Sequence, residues 1–150
     1  MHIRRATLAD LDLMAGQPAR EFCEYASPDM PIYKEARVRE FLGKLISGHF
    51  VIIAEENGVA AGSLGALIHP HIWNPDLRCA TECFWWVNAD FRGGRAGYML
   101  LREYAQFVER EDIAKGFVCV LEHSAVSGAA LERFGFLPRE RTYIKEFSNA

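Results

Sequence analysis

Residues 82–101 read ECFWWVNADFRGGRAGYMLL. The stretch divides into a strand, a glycine-rich turn and the start of a helix. Strict alternation would set Glu82, Phe84 and Trp86 on one face and Cys83, Trp85 and Val87 on the other. Asn88-Ala89-Asp90 breaks that period. Arg92-Gly93-Gly94-Arg95-Ala96-Gly97 follows, and apolar residues then recur at Gly97, Leu100, Leu101, Tyr104 and Val108, the period of a helix running to about Arg110. Such a turn leaves backbone N–H groups unpaired at the positive end of the helix dipole, a ready site for phosphate oxygens.

Around this core the chain alternates strands and helices. His2–Ala6 reads as a first strand. Thr7 and Asp10 stand in capping-box spacing before a short helix whose buried side is Leu8, Leu11 and Met14. Gly16-Gln17-Pro18 ends or bends that helix. Residues 19–32 give no clear period, and Pro28, Asp29 and Pro31 mark a loop. Val38, Phe41, Leu42, Leu45 and Ile46 share one face of a second helix, closed by Ser47-Gly48. Phe50–Ala54 is apolar throughout, as in a strand buried on both faces. Asn57-Gly58 predicts a type I′ hairpin turn into a strand over Val59–Ile68. Pro70 is expected to end that strand, with Asn74-Pro75-Asp76 as a loop. After the central stretch, Phe117–Leu121 reads as a strand, Ser124 as the start of a helix ending at Gly135, and Thr142–Phe147 as a last strand.

At 150 residues the chain fits one domain, residues 1–150, with a core large enough to need no staples. The net charge of −3 argues against a nucleic-acid surface as the main feature. No apolar run approaches the roughly 20 residues that span a bilayer, and residues 1–12 lack a signal-peptide core. A cytoplasmic location with no membrane partner is the expectation. The four cysteines, Cys23, Cys79, Cys83 and Cys119, read as reduced thiols packed as small hydrophobes. His69, His71, Cys79 and Cys83 are spaced too loosely for a usual zinc site, and no metal is expected. The two histidines equally suit a substrate pocket or a solvated loop.

The strand–turn–helix pattern resembles the acyl-CoA-binding core of the GNAT superfamily of N-acyltransferases. In that pattern a hydrophobic strand precedes Arg or Gln, two variable residues, Gly, one variable residue, and Gly or Ala. Arg92 and Gly97 fill the outer positions. Arg95 replaces the middle glycine, with Gly94 just before it, as in RGGRA-type bacterial and phage-encoded members. The order of elements, and Leu131–Phe136 closing on Gly135-Phe136, extend the likeness along nearly the whole chain. The resemblance implies a mixed α/β fold, with a twisted mixed sheet of six to seven strands flanked by about four helices. It also implies a sheet splayed beside residues 82–87, where acetyl-CoA would lie.

It further implies an N-acetyltransferase acting on a primary amine, carried by a small molecule or a peptide, by direct transfer. Glu82 would be the general base, its pKa raised by the apolar Phe84 and Trp86. Val87 would pair its backbone with the pantetheine amides. Arg92, Gly93, Gly94, Arg95, Ala96, Gly97 and Tyr98 would hold the pyrophosphate, and Ser124 would either contact the cofactor or cap its helix. The tyrosine that protonates the leaving thiolate in many members is replaced by Leu131. That substitution motivates the alternative of a non-catalytic acyl-CoA-binding or regulatory module. Homodimers are common in the family. The acceptor is not identified by any segment.

Overall fold

The structure, a computed structural model, describes residues 1–145. Its sheet has five strands in the order β1-β2-β3-β4-β5: β1 (His2–Arg5), β2 (Phe50–Glu56), β3 (Val59–His71), β4 (Asn74–Val87) and β5 (Lys115–Phe117). The first three junctions are antiparallel and the last is parallel. The helices are α1 (Leu11–Ala15), α2 (Gln17–Ala26), α3 (Glu35–Gly48), α4 (Ala96–Arg110) and α5 (Gly128–Glu132).

The apolar run at Phe50 makes two cores at once. Phe50, Ile52 and Ala54 face α4 and pack with Leu64, Leu100, Tyr104 and Phe107. Val51 and Ile53 face the other way and pack with Met14, Leu42 and Leu45 of α1 and α3. Strand alternation therefore makes β2 the middle layer of a three-layer stack. At Asn57 and Gly58 φ is positive at both residues, the backbone a type I′ turn requires. At the N-terminus Arg4 grips the Asp10 carboxylate with two hydrogen bonds of 2.9 and 2.7 Å, and the Thr7 backbone N–H donates to the same carboxylate at 2.8 Å. Together these hold the Asp10 carboxyl well below the usual carboxylate range, the Arg4 hydrogen bond being the main cause.

Several expectations are corrected. Leu8 lies in a single 3-10 turn and is 57% exposed, so the buried side of the first helix is Met14 and Ala15, with Leu11 partly buried beside them. Residues 19–26, part of the 19–32 segment that gives no clear period, belong to α2, which starts where Gly16 breaks the preceding helix. Pro70 does not end β3, which continues to His71, and Asn74-Pro75-Asp76 begins β4 rather than forming a loop. The ladder accommodates Pro70, which has no N–H, because the register shifts beside it. The strand expected over Phe117–Leu121 is β5, ending at Phe117. The expected last strand over Thr142–Phe147 is not formed over 142–145, where Tyr143 is 87% exposed with no sheet face to bury it. Residues 146 and 147 lie outside the described residues. The described sheet is thus five-stranded, not six- or seven-stranded. No helix among the described residues is long and apolar enough to cross a membrane.

Candidate active site

The sequence alternation fails at one residue of β4, and that failure decides where Glu82 points. Gly65 is opposite Phe84 but Ala66 is opposite Glu82, so Cys83 is an extra residue, a β-bulge. Glu82 pairs with Ala66 and Trp85 with Leu64, both in the α4-side core. Cys83 and Phe84 pack instead in the core beneath α1 and α3. Glu82 therefore does not share a face with Phe84 and Trp86, as simple alternation predicts. Gly65 makes room for the crossing: a Cβ there would lie 2.4 Å from the Phe84 ring.

The β4–β5 ladder stops just below this bulge. Its pairs are Cys79 with Lys115, Ala80 with Gly116 and Thr81 with Phe117. Beyond Thr81, β4 continues to Val87 with no strand on that side among the described residues. At the fork the Cys119 backbone N–H donates to Glu82 Oε2 at 3.1 Å. From the α4 side, the Tyr104 hydroxyl lies 2.9 Å from the Ala80 carbonyl and 3.2 Å from that of Phe117. Burial pushes the Glu82 carboxyl up to about 7, against the opposing pull of the Cys119 N–H. Burial also raises the Tyr104 phenol, with the Glu82 charge adding to it. The expected rise in the Glu82 pKa is thus present, with a different set of neighbours as its setting.

The glycine-rich turn lies at the other end of the bare edge. Gly93 has φ +77°, a conformation that favours glycine. The Gly94 N–H closes a turn onto the Phe91 carbonyl at 3.3 Å. Helix α4 then begins, and its first backbone bond outside the helix is from Met99 to the Arg95 carbonyl. The N–H groups of Arg95, Ala96, Gly97 and Tyr98 have no partner among the described residues. Gly97 packs over Val87 and Trp85, and the Trp85 indole N–H is buried there without an acceptor among the described residues.

The Asn88 N–H donates to the Ala61 carbonyl, so the Val87 N–H and carbonyl point away from β3, toward the open edge. The carbonyl is already engaged, accepting from Arg92 Nε at 3.0 Å. The Arg92 guanidinium sits 4.4 Å from the centre of the Trp86 ring. Arg92 thus holds the turn against β4, while Arg95 is exposed at the helix start.

Ser124 does not begin a helix. It follows a turn closed by its own N–H onto the Leu121 carbonyl, and its Oγ accepts from the Val126 N–H at 3.2 Å. Ser127 is the N-cap of α5, accepting from the Ala130 N–H at 3.3 Å. Leu131 lies in α5 and supplies no titratable group there. His69 donates from Nδ1 to the Pro70 carbonyl and accepts at Nε2 from the Thr81 hydroxyl, at 2.9 and 2.8 Å. Among the described residues no three His, Cys, Asp or Glu side chains converge as metal ligands would.

Two features escape a sequence reading. Tyr104 falls on the apolar face of α4 and reads there as core, yet its hydroxyl braces the fork. Tyr25 and His123 are 98 positions apart, but His123 Nε2 donates to the Tyr25 carbonyl at 2.9 Å and the Tyr25 hydroxyl donates back to the His123 carbonyl at 3.2 Å. Nothing in the spacing of either residue signals this clasp between α2 and the segment after β5.

The model of the acetyltransferase (GNAT) family matches residues 18–136. No curated protein matches the chain. Among solved structures, a probable acetyltransferase is 19% identical with a TM-score of 0.76, the match covering 100% of both chains. A predicted acetyltransferase from Clostridium acetobutylicum, solved with acetyl-CoA, is 16% identical with a TM-score of 0.71, covering 97% of this chain and 95% of that one. An aminoglycoside acetyltransferase from an uncultured soil metagenomic sample, solved with sisomicin, is 15% identical with a TM-score of 0.71, covering 98% and 95%. At these identities the likeness to the solved structures shows the mixed α/β fold.

Proposed function

The chain belongs to the GNAT family of acetyltransferases, and we propose that it transfers the acetyl group of acetyl-CoA directly to a primary amine within a ternary complex. One observation carries the reading. A carboxyl group with a pKa near 7, Glu82, stands where two parallel strands part, on the same bare strand edge that leads to four unpaired amides at a helix N-terminus.

The residues fit acetyl-CoA. The free N–H groups of Arg95, Ala96, Gly97 and Tyr98 suit the pyrophosphate, with Gly93 and Gly94 shaping the turn and the helix dipole adding to the attraction. Arg95 adds an exposed positive charge, and Arg92 serves the site by holding the turn against Val87 and Trp86. With the Val87 carbonyl already engaged, its N–H is the group left for a pantetheine carbonyl. Ser124 keeps a hydroxyl hydrogen to donate to the cofactor.

Bound acetyl-CoA supplies the activated acetyl carbon. Glu82, ionised above about pH 7, accepts the proton lost by the amine, directly or through one water, as the C–N bond forms. The C–S bond then breaks. A thiolate is a far better leaving group than an alkoxide or an amide nitrogen and takes its proton from water, so the reaction does not require a tyrosine at the position of Leu131. Release of free thiol from acetyl-CoA with a panel of primary amines tests the proposal. Amine-dependent release that falls in Glu82→Gln supports it. Acetyl-CoA binding without amine-dependent release points instead to a binding module.

A further inference from the structure

A cavity lies on the opposite face of β4 from Glu82. It is half-enclosed, about 140 Å³ in volume, and sits between α2, α3 and the β3–β4 pair. Phe22, Cys23, Leu42, Cys83, Phe84 and Trp86 are among its walls, and no charged side chain among the described residues lines it. Its volume is close to that of a cavity of about 150 Å³ that takes benzene. The Phe22 ring meets those of Phe84 and Trp86 edge-on, with centroids 6.5 and 6.1 Å apart, which defines a rigid aromatic wall.

Two relationships join this cavity to the chemistry. Cys83 and Phe84, which line it, are the two residues after Glu82, and the bulge at Cys83 turns them toward the cavity while Glu82 faces α4. Among the described residues the edge of β4 beyond Thr81, which separates the two faces, has no partner strand, so Glu82 and the cavity are divided by the width of one strand. The wall also bears on charge. With no carboxylate among its lining residues, the cavity offers nothing to a second ammonium group, and burying one there unpaired would be costly.

We infer that this cavity receives the uncharged apolar arm of the acceptor, which makes the acceptor class a monoamine whose amino group is borne on a short linker from a phenyl-sized or branched aliphatic group. Polyamines and other polycationic amines are excluded from it. The inference rests on the reading of the chain as an amine acetyltransferase, and the test separates the two.

Binding of 2-phenylethylamine, ethylamine and spermidine is measured by equilibrium dialysis at saturating CoA, and acetylation of each is measured separately with acetyl-CoA. The expected result is that 2-phenylethylamine binds at least tenfold more tightly than ethylamine or spermidine. Cys23→Phe, which fills the cavity from α2, lowers that affinity at least tenfold. Phe22→Ala, which widens it, shifts preference toward 2-naphthylethylamine, so a misfolded filling variant does not decide the matter alone. Equal affinity for the three amines, tighter binding of spermidine, or a preference unmoved in both variants would overturn the inference. Selective binding of 2-phenylethylamine without acetylated product would leave the cavity assignment standing and overturn the transferase reading.

Discussion

The backbone N–H of Cys119 donates to the Glu82 carboxylate at 3.1 Å, at the point where β4 and β5 separate. The Cys119 N–H bonds to a side chain of β4 where the backbone ladder has ended. Glu82 thus occupies the fork of the sheet, and burial there gives its carboxyl a pKa suited to proton transfer near neutrality.

Replacing that carboxylate separates chemistry from binding. Glu82→Gln keeps an oxygen for the Cys119 N–H but cannot accept a proton. Turnover should fall by about 10²–10⁴-fold, the range for loss of a general base, with acetyl-CoA affinity within twofold of wild type. Steady-state kinetics and a titration on the same variant check both halves.

The pH dependence follows from the same group. Protonated Glu82 is inactive as a base, so the rate should rise through about pH 7 and level off above it. Stability moves the other way. A folded-state pKa of about 7 against the ordinary carboxylate value means the folded chain holds the proton more tightly. This group's contribution is therefore full below the unfolded pKa and is lost as pH rises through about 7. Glu82→Gln should flatten that part of the stability profile, as read by thermal melts between pH 5 and 8.

Tyr104 closes the fork from the α4 side. Tyr104→Phe keeps the buried ring and removes the hydroxyl from the Ala80 and Phe117 carbonyls. A loss of about 1 kcal/mol of stability is expected, read by urea denaturation. An unchanged midpoint would show that the hydroxyl contributes nothing to holding the fork.

Much of this arrangement was legible in residue order. The fully apolar run at Phe50, the Asn57-Gly58 turn and the helical period after Gly97 each report a local physical requirement, and each is met. What was not legible depends on contacts between distant segments. Glu82 cannot be assigned its face from alternation, because the Cys83 bulge is set by how β4 registers on β3 around Gly65. Ser124 and Ser127 are equally good caps by composition, and the turn at Leu121 decides for Ser127. Pro70 reads as a strand end, yet a register shift in the hairpin carries the strand past it. For the site, Glu82 and the glycine-rich turn were visible as motifs, whereas the Arg92 hold on Val87 and the Tyr25–His123 clasp appear only in three dimensions.

The glycine-rich turn has little room for a side chain at Gly94. A Cβ at Gly94 would lie 3.1 Å from the Phe91 carbonyl oxygen, and Asp there would also set a negative charge beside the proposed phosphate position. The most direct measurement is calorimetric titration of the wild-type chain and of Gly94→Asp with acetyl-CoA. Wild type should bind with micromolar affinity, roughly 8 kcal/mol, and Gly94→Asp should lose at least tenfold. An absence of binding by wild type, or equal binding by both proteins, would contradict the phosphate position proposed at this turn.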